Sequence, residues 1–223
     1  MALQSSGQIS FGDINVELGL SRTTQISLGQ SSVRTMNGVA SGAIRLAADN
    51  YGKGVTANPL SFLIPGTYNF TVPNYVNLNV TVNGPGGGGS SGAWTHPSGF
   101  VVWVPGETGT ESSFNSSTPL IAYSGTGGSI DNAGSNGSGI GGTVVVGGGA
   151  SGGPGGAGSP PGQPGGYGGN VTKTWTYGSS GAPSPGQTIT VIVGSRGLAG
   201  TGPVGPGTGG SPGSNGSVII SWS

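Results

Sequence analysis

The chain has 223 residues, of which 52 are Gly and 16 are Pro, and only 5% are charged, six Lys+Arg balancing six Asp+Glu. Zero net charge without a basic cluster excludes binding to nucleic acid or anionic membranes through Lys and Arg. The absence of Cys excludes disulfides, thiolate metal sites and Cys nucleophiles, and a single histidine, His96, leaves little for metal or acid–base chemistry.

Residues 1 to 83 hold 9 Gly, whereas the 140 residues from 84 to 223 hold 43, and seven of the twelve charges fall within the first 53 residues. This step predicts two parts, 1–53 and 54–223. In the first part Gln8-Ile9-Ser10-Phe11-Gly12-Asp13 recurs as Gln25-Ile26-Ser27-Leu28-Gly29-Gln30, with a looser copy at Ala43-Ile44-Arg45-Leu46. Each copy reads as a short alternating strand, and the first two continue into short helices over Asp13 to Leu18 and Ser31 to Met36, where Asp or Ser caps apolar residues at helical spacing. A unit of about 17 residues cannot bury its own apolar face. The module is therefore expected to dock on sister copies or another chain through Ile9, Phe11, Ile14, Ile26, Leu28 and Val33.

From Pro65 the pattern becomes β. Tyr68-Asn-Phe70-Thr-Val72 and Val76-Asn-Leu78-Asn-Val80-Thr-Val82 alternate with period two, and Val101 to Val104, Val144 to Val146, Ile189 to Val193 and Val218 to Ile220 are apolar blocks bounded by Gly or Pro. Val80 to Gly84, Thr143 to Gly147 and Thr190 to Gly194 share one exit, a β-branched strand running into a glycine tract, which predicts that three strands deliver their tracts to one side of a sheet. Such blocks, without high net charge, argue against disorder. None reaches the roughly 18 residues of a membrane span, and the amino terminus lacks the basic and apolar regions of a secretion signal.

Gly153, Gly156, Gly162, Gly165 and Gly168 keep a three-residue register, as do Gly207, Gly210, Gly213 and Gly216. Polyproline II has three residues per turn, so such a register gives one side-chain-free face on which another rod can pack. The register fails between Gly125 and Gly142, so a collagen-like triple helix is not expected; either short polyproline II rods packed side by side or glycine loops folded over a sheet fit the pattern. Ordering so much Gly is costly in backbone entropy, which points to neighbouring chains and an oligomer, most simply a trimer.

The chemical motifs are poor. Gly87-Gly-Gly-Ser-Ser-Gly92 matches G-x-G-x-x-G without the helix that the nucleotide fingerprint requires. Gly149-Ala-Ser-Gly-Gly153 matches G-x-S-x-G, but the only His precedes it. Glu107 and Glu111 sit in a turn segment with no apolar setting. The chain is read as a non-enzyme with no catalytic residue, metal or cofactor. Trp94, Phe100, Trp103, Tyr123, Tyr167, Trp175, Tyr177 and Trp222 all lie in the glycine-rich part. Trp103, Trp175 and Trp222 sit in strand-like runs and are expected to pack. Trp94, His96, Tyr123 and Tyr167 are the candidates for contact with sugars or protein loops, where stacking and hydrogen bonds combine.

Ser6-Gly-Gln-Ile-Ser-Phe-Gly-Asp-Ile-Asn-Val-Glu-Leu-Gly19 with Gln25-Ile-Ser-Leu and Val33-Arg34 resembles a segment of virion structural and tail proteins of tailed bacteriophages. Phe70 to Val76 through Gly89, Pro185 to Gly194 and the ending Gly216 to Trp222 are similar to glycine-rich carboxy-terminal domains of phage fibre proteins, and the period-three tracts resemble the polyproline II sandwiches of T4-like long-tail-fibre tip adhesins. The resemblance implies a mainly β virion protein: a small β/α docking module joined to other virion proteins, then a β-sandwich-like domain with glycine-rich loops or rods. It implies a tail-fibre, tip or baseplate projection that contributes to host attachment through a surface glycan or outer-membrane protein. A decoration or glue protein without a host ligand is the second class; an ice-binding or matrix protein is disfavoured, because such bundles repeat through most of the chain.

Overall fold

A computed structural model of the chain describes residues 10–27, 30–37, 59–202 and 209–223. Ile9, Leu28, the third repeat copy and the boundary near Gly54 lie outside them.

Two short helices come first, α1 (Phe11–Glu17) and α2 (Ser31–Asn37). Short helices follow the first two Q-I-S copies, while Gln8 and Ile9, where the first strand was expected, lie outside the described residues. Ser10 is the N-cap of α1, and it forms a capping box with Asp13: the Asp13 N–H donates to Ser10 Oγ at 3.2 Å and the Ser10 N–H donates to Asp13 Oδ2 at 2.9 Å. The reciprocal bonds satisfy amides that the first turn leaves without helical partners. The second copy repeats the turn, Gln30 N–H to Ser27 C=O at 3.0 Å matching Asp13 N–H to Ser10 C=O at 3.1 Å. Ile14, Val33 and Met36 are buried.

Twelve strands follow: β1 (Leu60–Phe62), β2 (Gly66–Thr71), β3 (Asn77–Asn83), β4 (Trp94–Thr95), β5 (Val101–Val102), β6 (Ser112–Phe114), β7 (Leu120–Ala122), β8 (Gly139–Ile140), β9 (Thr143–Val145), β10 (Asn170–Thr176), β11 (Thr188–Val193) and β12 (Ser217–Trp222). Ten of them form two five-stranded antiparallel sheets, β1-β12-β3-β10-β9 and β2-β11-β6-β7-β8, and β4 pairs with β5. The fold is mainly β, a sandwich as expected. Pro73-Asn74-Tyr75 carries the chain from one sheet to the other, because β2 and β3 belong to different sheets.

Period-two alternation fills the space between the sheets. Leu78, Val80, Val82, Val171, Trp175, Val218 and Ile220 from one sheet meet Phe70, Phe114, Leu120, Ile189, Val191 and Val193 from the other. Each such side chain contributes about 1.5–3 kcal/mol on burial. Aromatic rings cross the interface, Phe114 to Trp175 with centroids at 5.9 Å and Phe70 to Trp222 at 6.2 Å. Trp175 is buried, while Trp222 and Trp103 are half-buried.

The strand registers give the sandwich a polarity. Ser217 pairs with Asn83 and Trp222 with Leu78, so the β3 end at Asn83 and the β12 start lie at the end from which the glycine tracts leave. Leu60 pairs with Ile220 and Phe62 with Val218, so the chain enters β1 running toward that end from the opposite one.

Candidate functional site

The site is built by the glycine tracts. β3, β7, β9 and β11 each run on into a tract, and β6, β8, β10 and β12 each follow one, so the strand exits do converge on one side. The tracts form eight extended segments: 84–93, 104–111, 123–130, 131–138, 149–158, 162–169, 194–202 and 209–216.

Segment 84–93 is buried throughout and lies at the centre. Its backbone bonds repeat every third residue. The N–H groups of Gly84, Gly87 and Ser90 donate to the carbonyls of Gly169, Gly166 and Gln163 at 2.8–3.0 Å, and their carbonyls accept from Ala150, Gly153 and Gly156 at 2.8–3.0 Å. Gly86 and Gly89 donate to Ser214 and Ser211 and accept from Gly197 and Gly200. Gly88 and Ser91 donate to Glu107 and Val104, while Pro85 and Gly88 accept from Gly125 and Gly128. Three residues per turn and hydrogen bonds that all leave the segment are the geometry of polyproline II. Of the two alternatives open in the sequence, rods are therefore the form adopted.

Six rods surround the central one and bond to each other in a closed ring. Gly106 donates to Gly128, Gly166 to Thr126, Gly165 to Gly153, Ser211 to Pro154, Gly213 to Gly197, and Glu107 to Leu198. The eighth rod, 131–138, lies against 123–130 and 162–169 through Thr126 N–H to Ser135 C=O and Gly134 N–H to Pro164 C=O. The stretch where the glycine register was expected to fail thus supplies two rods, with Gly125 and Gly128, then Gly134 and Gly137, in step. The inward glycines are obligatory: a Cβ on Gly87 would lie 2.0 Å from Thr126 C=O, and one on Gly165 2.2 Å from Gly87 C=O. Outward positions carry the side chains, among them Ser151, Pro154, Asn136, Arg196 and Leu198. One chain completes the shell, so the ordering of glycine that pointed to neighbouring chains is achieved within a single molecule.

At ten residues and about 3.1 Å each, the central rod is roughly 30 Å long. It ends in the β4–β5 hairpin, where Trp94 pairs with Val102 and Thr95 with Val101. The His96 N–H donates to Phe100 C=O at 2.7 Å, and Gly99, at φ +88°, closes the turn with its N–H on His96 C=O. His96 Nδ1 accepts from the Ser98 N–H at 3.2 Å and lies 2.5 Å from Ser98 Oγ, and its ring stands edge-on to Trp94 with centroids 5.3 Å apart. The pairing puts Trp94, His96, Phe100 and Val102 on one face, and Phe100 is 72% exposed. No Asp, Glu, Lys or Arg occurs from Gly54 to Gly106. The hairpin therefore presents apolar and aromatic surface without an Asp, Glu, Lys or Arg side chain.

The structure divides the four contact candidates between two places. Trp94 and His96 share the distal hairpin, whereas Tyr123 and Tyr167 lie at the rod bases, bonded to Ser138 and Gly137 on either flank of rod 131–138. Phe100, Val101 and Val102 are exposed beside Trp94 and were not selected from the sequence. The signal lay in the alternation Trp94-x-His96 and Phe100-x-Val102 about the turn residues Pro97-Ser98-Gly99. Among the docking candidates, Ile14 and Val33 are buried, Ile26 is half-buried and Phe11 is exposed, together with Val16 and Leu20.

The chemical motifs are absorbed by structure. In Gly87 to Gly92 the N–H groups that would cradle a phosphate already bond to Gly166, Glu107, Ser211, Gln163 and Val104. Ser151 Oγ pairs with Ser214 Oγ at 2.9 Å. Among the described residues there is no cluster of three or more His, Cys, Asp or Glu side chains able to hold a metal ion, and no helix is long and apolar enough to cross a membrane. Asp13 is held below the ordinary carboxylate value chiefly by the Ser10 hydroxyl, then by the Ser10 N–H and the charge of Arg22. Burial pushes the Tyr75 hydroxyl up, and it donates to Pro183 C=O at 2.6 Å. No family model matches the chain, and neither a curated protein nor a solved structure gives a match.

Proposed function

We propose that the protein is a virion projection of a tailed bacteriophage, a tail-fibre tip or baseplate-attached element that contributes to host-surface attachment. The observation that carries this reading is the polarity of the molecule: an uncharged aromatic hairpin stands at the far end of the central rod, opposite the end at which the chain enters the sandwich. The rods hold that hairpin on a scaffold whose backbone groups are mutually bonded, so it can be presented with little loss of freedom on binding. Residues 1–53 join other virion proteins, with Phe11, Val16 and Leu20 as the exposed apolar residues there. The partner at the tip is a neutral glycan or an outer-membrane protein loop, and no catalytic step is involved.

The test is competition for adsorption on host cells by the purified full chain, with Trp94→Ala and Phe100→Ala beside Tyr123→Ala and Tyr167→Ala. The reading expects the first pair to lose competition at unchanged melting temperature. Equal competition by all four variants, or none by the parent chain, would move the assignment to a decoration or glue protein without a host ligand.

A further inference from the structure

His96 is built into the tip turn by a bond that only one of its protonation states can make. The chain reverses through Pro97-Ser98-Gly99, and the His96 ring closes that turn: Nδ1 accepts from the Ser98 N–H at 3.2 Å and lies 2.5 Å from Ser98 Oγ. An Asn or Asp oxygen holds the amide two residues on in the same way in an Asx-turn; here an imidazole nitrogen stands in the oxygen's place. Only a ring without a proton on Nδ1 can accept, so the bond fixes the tautomer and leaves the proton of the neutral ring on Nε2. A protonated ring carries N–H groups at both nitrogens. The Ser98 hydroxyl can then reverse its role and accept from Nδ1, but the Ser98 N–H can only donate, and it meets another donor. The bonds from His96 N–H to Phe100 C=O at 2.7 Å and from Gly99 N–H to His96 C=O at 2.8 Å do not involve the ring, so the hairpin itself persists.

We propose that His96 is a pH-sensitive latch on the tip. Neutral, its ring closes the turn on Ser98 and stands edge-on to Trp94; protonated, it leaves both and puts a cation on the face that it shares with Trp94, Phe100 and Val102. Imidazole is the one side chain whose ordinary charge change falls between roughly pH 5 and 8. Residues 76–106, 157–166 and 197–223, which include the central rod, the hairpin and the Ser159-Pro160 turn bonded to Ala93, contain no Asp, Glu, Tyr, Lys or Arg. The carboxylates nearest through the backbone bonding are Asp131 and Glu107. Asp131 lies two residues past Ser129, whose C=O accepts from Ser90 Oγ, and the Glu107 C=O accepts from the Gly88 N–H. Ser90 and Gly88 precede Trp94 by about 12 and about 19 Å of rod, beyond the screening length of about 8 Å at physiological salt. The effect on attachment rests on the function proposed above: a partner that covers the apolar face must strip water from the new cation, so binding weakens as pH falls.

The chain has one histidine, so ring nitrogen NMR of the labelled full chain reads this group alone. Between about pH 8 and about pH 5, the neutral ring should carry its proton on Nε2, and the Ser98 amide signal should move with the midpoint of the ring. His96→Asn supplies a non-titrating oxygen to the same amide and should hold that signal constant across the range, whereas His96→Ala should leave it unlatched throughout. A neutral ring protonated on Nδ1, or a Ser98 amide that ignores the ring's titration or moves equally in His96→Asn, would overturn the latch. In competition for host adsorption the parent chain should be at least tenfold weaker at about pH 5 than at about pH 8, and His96→Asn should lose that difference. Competition that is equal at both values, or stronger in acid, would overturn the regulatory role. Absence of competition at every pH with the NMR response intact would instead refute host attachment and leave the latch standing, so the two failures are distinct.

Discussion

Gly87→Ala in the central rod tests the reading of the glycine tracts most directly. In a flexible loop this substitution stabilises by about 0.4–1 kcal/mol, because it restricts the unfolded chain. In the rod bundle the new Cβ would sit 2.0 Å from the Thr126 carbonyl oxygen and 2.4 Å from its carbon. Ordinary contact lies near 3.5 Å, so the two rods must separate by about 1.5 Å. Both neighbours are backbone, and no side chain can swing away. Separation breaks at least the bonds from Gly125 N–H to Pro85 C=O and from Gly128 N–H to Gly88 C=O, each 2.9 Å. Each buried bond broken costs about 1–3 kcal/mol, so the loss is about 2–6 kcal/mol. That is a large part of the roughly 5–15 kcal/mol that holds an ordinary domain together. Urea unfolding followed by Trp fluorescence measures it, with Ser135→Ala on an outward position as the control, expected to stay within about 0.5 kcal/mol. If Gly87→Ala proved neutral or stabilising, the closed ring of rods would be wrong.

Phe114→Ala removes a ring buried between Phe70 and Trp175 and should cost about 3–5 kcal/mol in the same unfolding assay. Ser112→Ala leaves the buried Gly194 N–H without its 3.0 Å acceptor at the junction of β11 and its rod, and should cost about 1–3 kcal/mol; protection of the Gly194 amide from hydrogen exchange should fall with it. Asp13 titrates below its ordinary 3.8 in the folded state. A depressed folded-state value means that its support of α1 is complete above the unfolded carboxylate's pKa and is lost as pH falls through the lower folded one. Titration of Asp13 by NMR should show Ser10→Ala moving its midpoint upward toward 3.8, and an unchanged midpoint would remove the capping box as the cause.

Much of the sandwich was legible in local pattern. The alternation at Leu78, Val80 and Val82 and the block Ile189 to Val193 specify faces, because a pleated strand sends successive side chains to opposite sides. The strand-to-glycine exits after Val82, Val146 and Val193 likewise announced that the tracts leave together. A short strand such as β6 was not legible: Ser112 and Ser113 carry no apolar signal, and they form a strand because β11 and β7 pair with it and bury them.

Composition alone determined that the distal part would be poor in charge and side-chain bulk, and period three determined that its glycines could face a neighbour. Which neighbour was a matter of tertiary structure. A glycine rod carries no side chains to encode its partner, so its place among the other rods is set by the sandwich strands that launch and receive it. The same strands decide that Trp94 and His96 stand at the tip while Tyr123 and Tyr167 stay at the base, a separation of one rod length that no local sequence pattern contains.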